Sequence, residues 1–215
     1  MKNKLERYSY NFQSRYVIEE GKDIFQNIKV KWSKIFNNDN PLILELACGN
    51  GEYTVNNSTI NKNFNFIGID IKGSRIWKGA KSLESIQSKN AIFLRIQIEN
   101  ILDFFMDNEI KEILIAFPDP RPKKRDVKKR LTNLSFLNKY HKILDQKGKL
   151  ILKTDDDDLF KFSIEEIEKS KFDKIKITKN LYQESNFLIA KNVKTKYEKK
   201  FLNQGKKIKY LETSK

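Results

Sequence analysis

Acidic residues recur where short apolar runs end: Glu45 within the first, then Asp70, Glu99, Asp119 and Asp155 at or just after the next four. Carboxylates gathered at one edge of a sheet can accept hydrogen bonds from ribose hydroxyls or an exocyclic amine, and can balance a cation. Asp119 is the most constrained of them. It sits between Pro118 and Pro120, and prolines on both sides keep its backbone extended and stiff. A rigid carboxylate at the mouth of a cleft can be aimed at a substrate base. Directly behind it, residues 121–130 carry seven basic side chains and one acid, Asp126. Lysine and arginine at that density neutralise phosphates. Either feature alone could be a proline-stiffened turn or a solvated charged loop. Together they point to a polyanion held beside a positioned acid.

The first apolar run ends in Glu45-Leu46-Ala47-Cys48-Gly49-Asn50-Gly51, and Asp70 follows Gly51 by 19 residues. Glycines after a strand allow a tight turn and close approach of a ligand, and an acid at the end of the next strand can hold both ribose hydroxyls. This suits a dinucleotide or S-adenosylmethionine, and an ordinary strand-to-helix turn stays open. Two details favour the methyl donor. Thr54 stands where the dinucleotide fingerprint has its third small residue. Glu45 would repel a pyrophosphate and attract a sulfonium or ammonium. Glu99 is a candidate acceptor for the adenine amine, or a solvated loop carboxylate. Cys48 reads as a small packing residue. With one cysteine and one histidine, His141, no zinc set is expected.

The elements that must position these groups are short runs rich in Ile, Leu and Phe at 42–46, 64–70, 91–96, 112–117 and 149–154, which read as buried parallel strands. Helical spacing occupies 73–87. Asn133 is a candidate cap for a helix running to Lys147-Gly148, and Asp157 or Asp158 for another. Strands alternating with helices predict a doubly wound α/β sheet. Residues 174–178 and 207–211 alternate polar and apolar, as half-exposed edge strands do. The first 38 residues read as a charged helical extension, separated by an Asn-rich turn from a domain over 39–215.

The chain has 215 residues, 39% of them hydrophobic, and a net charge of +15. That is enough for one sizeable core. No apolar run reaches the roughly 20 residues that span a bilayer, and the polar N-terminus does not look like a signal peptide. A cytoplasmic setting and a nucleic-acid partner are expected. A lysine-rich composition would give the same total charge, so its distribution carries the argument.

Phe117-Pro118-Asp119-Pro120, followed by Pro122-Lys123-Lys124-Arg125 and Lys129-Arg130, resembles the signature of the bacterial tRNA (guanine-N7-)-methyltransferases. The loop from Glu45 to Gly51, the strand ending at Asp70, and Thr195-Lys196-Tyr197-Glu198 followed by Gly205 and Ile208 resemble that family's other segments, in order. The resemblance implies a Rossmann-like class I methyltransferase sheet with an antiparallel edge. It implies S-adenosylmethionine as cofactor and tRNA as partner, with methyl transfer to guanosine N7 in the variable loop. Glu45, Gly49, Asp70, Glu99 and Asp119 would line the cofactor site, with Asp119 also the catalytic acid. Lys123, Asp155, Thr195, Lys196, Tyr197 and Glu198 would contact the substrate, and Arg125, Lys128, Lys129 and Arg130 the RNA backbone. No metal or membrane is implied, and the protein would be a monomer or homodimer. Ala47 stands where the family has glycine, Arg121 replaces a usual Trp, and Asp126 a common His. The rival readings are a class I methyltransferase acting on another RNA or base, a dinucleotide oxidoreductase, and a non-catalytic RNA-binding module.

Overall fold

The computed structural model describes residues 3–184 and 191–215. Its elements are α1 (Lys4–Gln13), β1 (Val17–Glu19), α2 (Trp32–Phe36), β2 (Leu42–Leu46), α3 (Glu52–Ile60), β3 (Asn65–Ile69), α4 (Gly73–Ser85), β4 (Ala91–Arg95), β5 (Ile110–Ala116), α5 (Leu134–Ile143), β6 (Leu144–Thr154), α6 (Asp157–Glu168), β7 (Asp173–Thr178), α7 (Lys196–Asn203) and β8 (Lys209–Ser214). Short 3-10 turns cover Phe25–Val30, Ile98–Asp103 and Lys124–Lys129.

One eight-stranded sheet runs in the order β1-β4-β3-β2-β5-β6-β8-β7. The pairs from β1 through β6 are parallel, and β8 pairs antiparallel with both β6 and β7. This is the expected doubly wound sheet with an antiparallel edge. Alternate strand residues serve the two faces. Leu44, Leu46, Ile67 and Ile69 join Trp32, Phe105 and Tyr140 on one side. Ile43, Phe66 and Phe93 pack with Ile76, Ala80 and Leu83 of α4 on the other. Phe93 reaches deep because glycines make room for it. A Cβ on Gly51, Gly68 or Gly79 would lie 2.2, 2.5 or 2.4 Å from its ring. No helix among the described residues is long and apolar enough to cross a membrane.

Three local expectations are corrected. The N-terminal segment is not helical throughout, because Val17–Glu19 extends the sheet beside β4. Three residues are too few to show a period in sequence. Helix α5 ends at Ile143 and β6 begins at once, well before Gly148. Helix α6 is capped by Asp156, whose side chain accepts from the Leu159 N–H at 2.7 Å, and not by Asp157 or Asp158. In a run of four aspartates only the fold decides which one stands outside the first turn.

Candidate active site

The parallel register sets Leu46 beside Ile69 and Ile115, Ile69 beside Leu94, and Ala116 beside Lys153. The segments that follow these strands therefore emerge along one edge: the 47–51 loop, Asp70, the turn holding Glu99, the 117–123 loop and Asp155. Ligands of open α/β sheets bind at that edge.

The 47–51 loop is fastened to β3. The Cys48 N–H donates to the Ile69 carbonyl at 3.0 Å, and the Gly49 N–H to Asp70 Oδ2 at 2.9 Å. The Lys72 N–H donates to Asp70 Oδ1 at 2.8 Å. Gly49 has φ +56 and nothing within 4 Å of the place its Cβ would take, so a ligand can approach its backbone closely. Ala47 shares that left-handed conformation at φ 54, where a Cβ is strained. Glu45 is buried. Its Oε2 accepts from the Thr54 N–H at 2.9 Å and from Thr54 Oγ1 at 2.6 Å, so the residue that breaks the dinucleotide pattern is what holds this acid. Burial pushes the Glu45 carboxyl up to about 7 against the lowering by Thr54, and Glu52 and Asp70 raise it further. Burial also pushes the Cys48 thiol up, which makes it a poor nucleophile. Glu99 lies exposed in its 3-10 turn, with its carbonyl held by Lys139 Nζ.

Asp119 is carried by a strained loop. Phe117 and Arg121, on either side of the Pro-Asp-Pro, have φ of 50 and 48. The Phe117 N–H donates to the Lys153 carbonyl at 2.8 Å. The Asp119 side chain is 63% exposed and lies 3.3 Å from Arg121 Nε, while its Oδ1 accepts from the Arg121 N–H at 3.1 Å. Arg130 is buried, not solvent-facing as expected of a phosphate contact. Its Nε donates to the Pro120 carbonyl at 2.9 Å, a second N–H reaches Arg121 O at 3.4 Å, and the guanidinium lies over the Phe162 ring at 4.6 Å. Lys123, Arg125 and Lys128 are exposed. Lys129 is also exposed but pairs with Asp126 at 2.9 Å, and this bond is the main reason that the Asp126 carboxyl sits below its ordinary range.

The C-terminal segment folds back onto this edge. Thr195 caps α7, its Oγ1 accepting from the Glu198 N–H at 3.2 Å. The Lys196 N–H donates to Glu52 Oε2 at 2.6 Å, which docks the helix start against the residue after Gly51. Tyr197 is exposed. Its ring centre is 6.4 Å from that of Phe201, which is 5.5 Å from that of Phe117. Glu198 does not face the cleft as expected of a substrate contact. It is fully buried, and its Oε1 takes Lys153 Nζ at 3.1 Å and the Tyr182 hydroxyl at 2.7 Å. The Asp155 carboxylate pairs with Lys206 Nζ. Sequence reasoning missed Lys153, Tyr182, Glu52 and Phe201. A lysine at the end of the apolar strand 149–154 was the available signal, since lysine is almost never fully buried unless paired.

The chain resembles known methyltransferases in sequence and in fold. The family model Methyltransf_4, described as "Putative methyltransferase", matches residues 39–211. The tRNA (guanine-N(7)-)-methyltransferase of Cytophaga hutchinsonii is 37% identical over 212 residues, spanning 98% of this chain and 96% of that one. The protein of the same name from Christiangramia forsetii is 41% identical, again over 98% and 96%. The one from Bacteroides fragilis is 41% identical over 98% and 84%. Among solved structures, an antibiotic-related methyltransferase superposes with a TM-score of 0.63 at 18% identity, over 85% of this chain and 91% of that one. An rRNA methylase from Streptococcus thermophilus gives 0.52 at 14%, over 82% and 87%. Those two share the fold. The sequence relatives match nearly end to end, and on that ground the chain belongs to the tRNA (guanine-N(7)-)-methyltransferase family.

Proposed function

We propose that this chain transfers a methyl group from S-adenosylmethionine to N7 of a guanosine in the variable loop of tRNA, and acts in the cytoplasm. Residues 39–215 form the catalytic domain in this reading, with the described part of 1–38 packed on it through α1, β1 and α2. One observation carries the reading. Asp119 stands at the head of an aromatic run, Phe117–Phe201–Tyr197, and α7 docks that run against Glu52, beside the glycine loop.

The residues present fit the methyl donor. Gly49 leaves open space, Asp70 is fixed at the end of β3, and Glu45 is a buried acid that a cation would favour in its ionised form. When bound, S-adenosylmethionine supplies an electrophilic methyl on a positive sulfur. Guanine N7 carries a lone pair and no proton, so no strong base is required. The chain's work is then positioning, which can supply about 7–11 kcal/mol. Asp119 accepts from the N–H edge of the guanine and holds it in register. Its charge also favours the positive charge that develops on the ring. Tyr197 offers its face to the base once it leaves its stack. Lys123, Arg125 and Lys128 take backbone phosphates. Arg130 braces the loop from beneath, and Glu198 and Thr195 fix α7, so these three act through their neighbours.

The test is transfer of labelled methyl from S-adenosylmethionine to unmodified tRNA, with nucleoside analysis of the product. Formation of 7-methylguanosine by wild type and its loss in Asp119→Ala support the proposal. A different methylated nucleoside would reassign the base while keeping the reaction.

A further inference from the structure

The basic loop at 121–130 is partly neutralised, and it is not the one exposed cationic surface among the described residues. Arg121 pairs with Asp119, Lys129 with Asp126, and Arg130 is buried. Helix α4 differs. Its buried residues, Gly73, Ile76, Gly79, Ala80 and Leu83, face the sheet, and the opposite arc presents Arg75, Lys78 and Lys81, all exposed. None of these three forms an ion pair among the described residues.

Helix α1 packs on α4 and adds to this face. The Asn11 side-chain N–H donates to the Gly73 carbonyl at 2.8 Å, and the Tyr10 hydroxyl to Glu84 at 2.5 Å. Arg7 lies 5.0 Å and Lys81 5.5 Å from the centre of the Trp77 ring. Two acids lie nearby, Glu84, which accepts from the Tyr10 hydroxyl, and Glu6, which accepts from the Asn3 N–H in the capping box that starts α1; both keep their charge, and Arg7, Arg75, Lys78 and Lys81 outnumber them. The face is thus held together by α1–α4 contacts and is net cationic. Arg75 to Lys81 spans about 9 Å at 1.5 Å per residue, a length over which duplex nucleic acid carries about five charges. Helix α4 starts just past Asp70, so the surface begins at the cleft edge and runs away from it.

We infer that the α1–α4 face is a second RNA-backbone contact, gripping a duplex arm of the substrate remote from the methylated guanosine. This rests on the reading of the protein as a tRNA methyltransferase. A site that held only the loop around its target base would have no use for a fixed cationic track leading out of the cleft. Two separated tracks would instead orient a folded RNA, because backbone contacts set register and orientation.

The experiment compares binding of an unmodified tRNA transcript by wild type, by the triple variant R75Q/K78Q/K81Q, and by the control K147Q/K171Q/K174Q, three exposed lysines outside α1 and α4 that form no ion pair among the described residues. Affinity is measured between about 50 and 200 mM salt, over which each lost phosphate contact lowers the slope of log affinity against log salt by about 0.9. The inference expects the triple variant to lose about 2–3 in slope, with binding of S-adenosylmethionine and kcat at saturating tRNA unchanged. The control should lose less than one. An unchanged slope in the triple variant overturns the inference, as does an equal fall in the control, which would mark the face as merely solvated charge. Absence of 7-methylguanosine from wild-type reactions would sink the functional reading and leave this binding comparison intact.

Discussion

Glu198 Oε1 lies 3.1 Å from Lys153 Nζ, and each side chain is 1% exposed. Burial pulls the Lys153 ammonium below its usual range despite the attraction of Glu198. The pair locks α7, which carries Tyr197, onto the end of β6, whose Lys153 carbonyl in turn holds Phe117 at 2.8 Å. Removing one partner leaves a buried, uncompensated group.

Glu198→Leu or Lys153→Met should therefore cost about 3–5 kcal/mol of stability, and the two changes together less than the sum. Urea denaturation of the four proteins decides this. Additive losses would mean that the two groups do not act as a pair.

Asp119→Ala should lower kcat about 10²–10³-fold while leaving the melting temperature within a degree or two. The side chain is 63% exposed, and its loop is held by other groups, Arg130 and the Phe117 N–H. A large loss of stability would mean that the carboxylate maintains the loop rather than meeting substrate.

Ala47→Gly should raise stability by about 0.5–1 kcal/mol. The native φ of 54 strains an L side chain by about 1–2 kcal/mol, and the greater freedom of glycine in the unfolded chain takes back part of that gain. A neutral or negative change in denaturation midpoint would show that the loop already relaxes this strain.

Glu45, pushed up to about 7 in the folded protein from an ordinary 4.5, binds its proton more tightly folded than unfolded. Its contribution to stability is thus present below pH 4.5 and is lost as pH rises through about 7. Donor binding should show the reverse trend. A cation favours the ionised carboxylate, so affinity for S-adenosylmethionine should tighten from about pH 6 to 8, with proton release on binding near pH 6.5. Calorimetry in buffers of different ionisation enthalpy measures that proton. Glu45→Gln should bind weakly with a flat pH profile, and a retained pH dependence would transfer the effect to another group.

Arg130 and Lys128 are close in sequence but should behave differently. Lys128→Gln should weaken tRNA binding and lower its salt slope by about 0.9. Arg130→Ala should leave the slope unchanged and reduce kcat, because it frees the Pro120 and Arg121 carbonyls under Asp119. Equal slopes for both variants would restore Arg130 to the RNA surface.

The sequence by itself determined five of the parallel strands, the sheet edge along which the candidate site residues gather, and the family. Buried parallel strands are written as contiguous apolar runs, and Pro118-Asp119-Pro120 and the Glu45–Gly51 loop constrain the backbone through their own covalent chemistry. Those signals are local. The tertiary structure decided which polar groups reach solvent. Arg130 and Glu198 sit beside exposed neighbours, Lys129 and Tyr197, yet both are buried: Arg130 because its own loop curls back to offer the Pro120 and Arg121 carbonyls, and Glu198 because Lys153 reaches it from 45 residues away. The strand Val17–Glu19 needed β4 as a template, and the α1–α4 basic face exists only because two helices 60 residues apart in sequence are clamped together by Asn11 and Gly73. Burial and pairing arise from long-range packing, and residue type alone does not encode them.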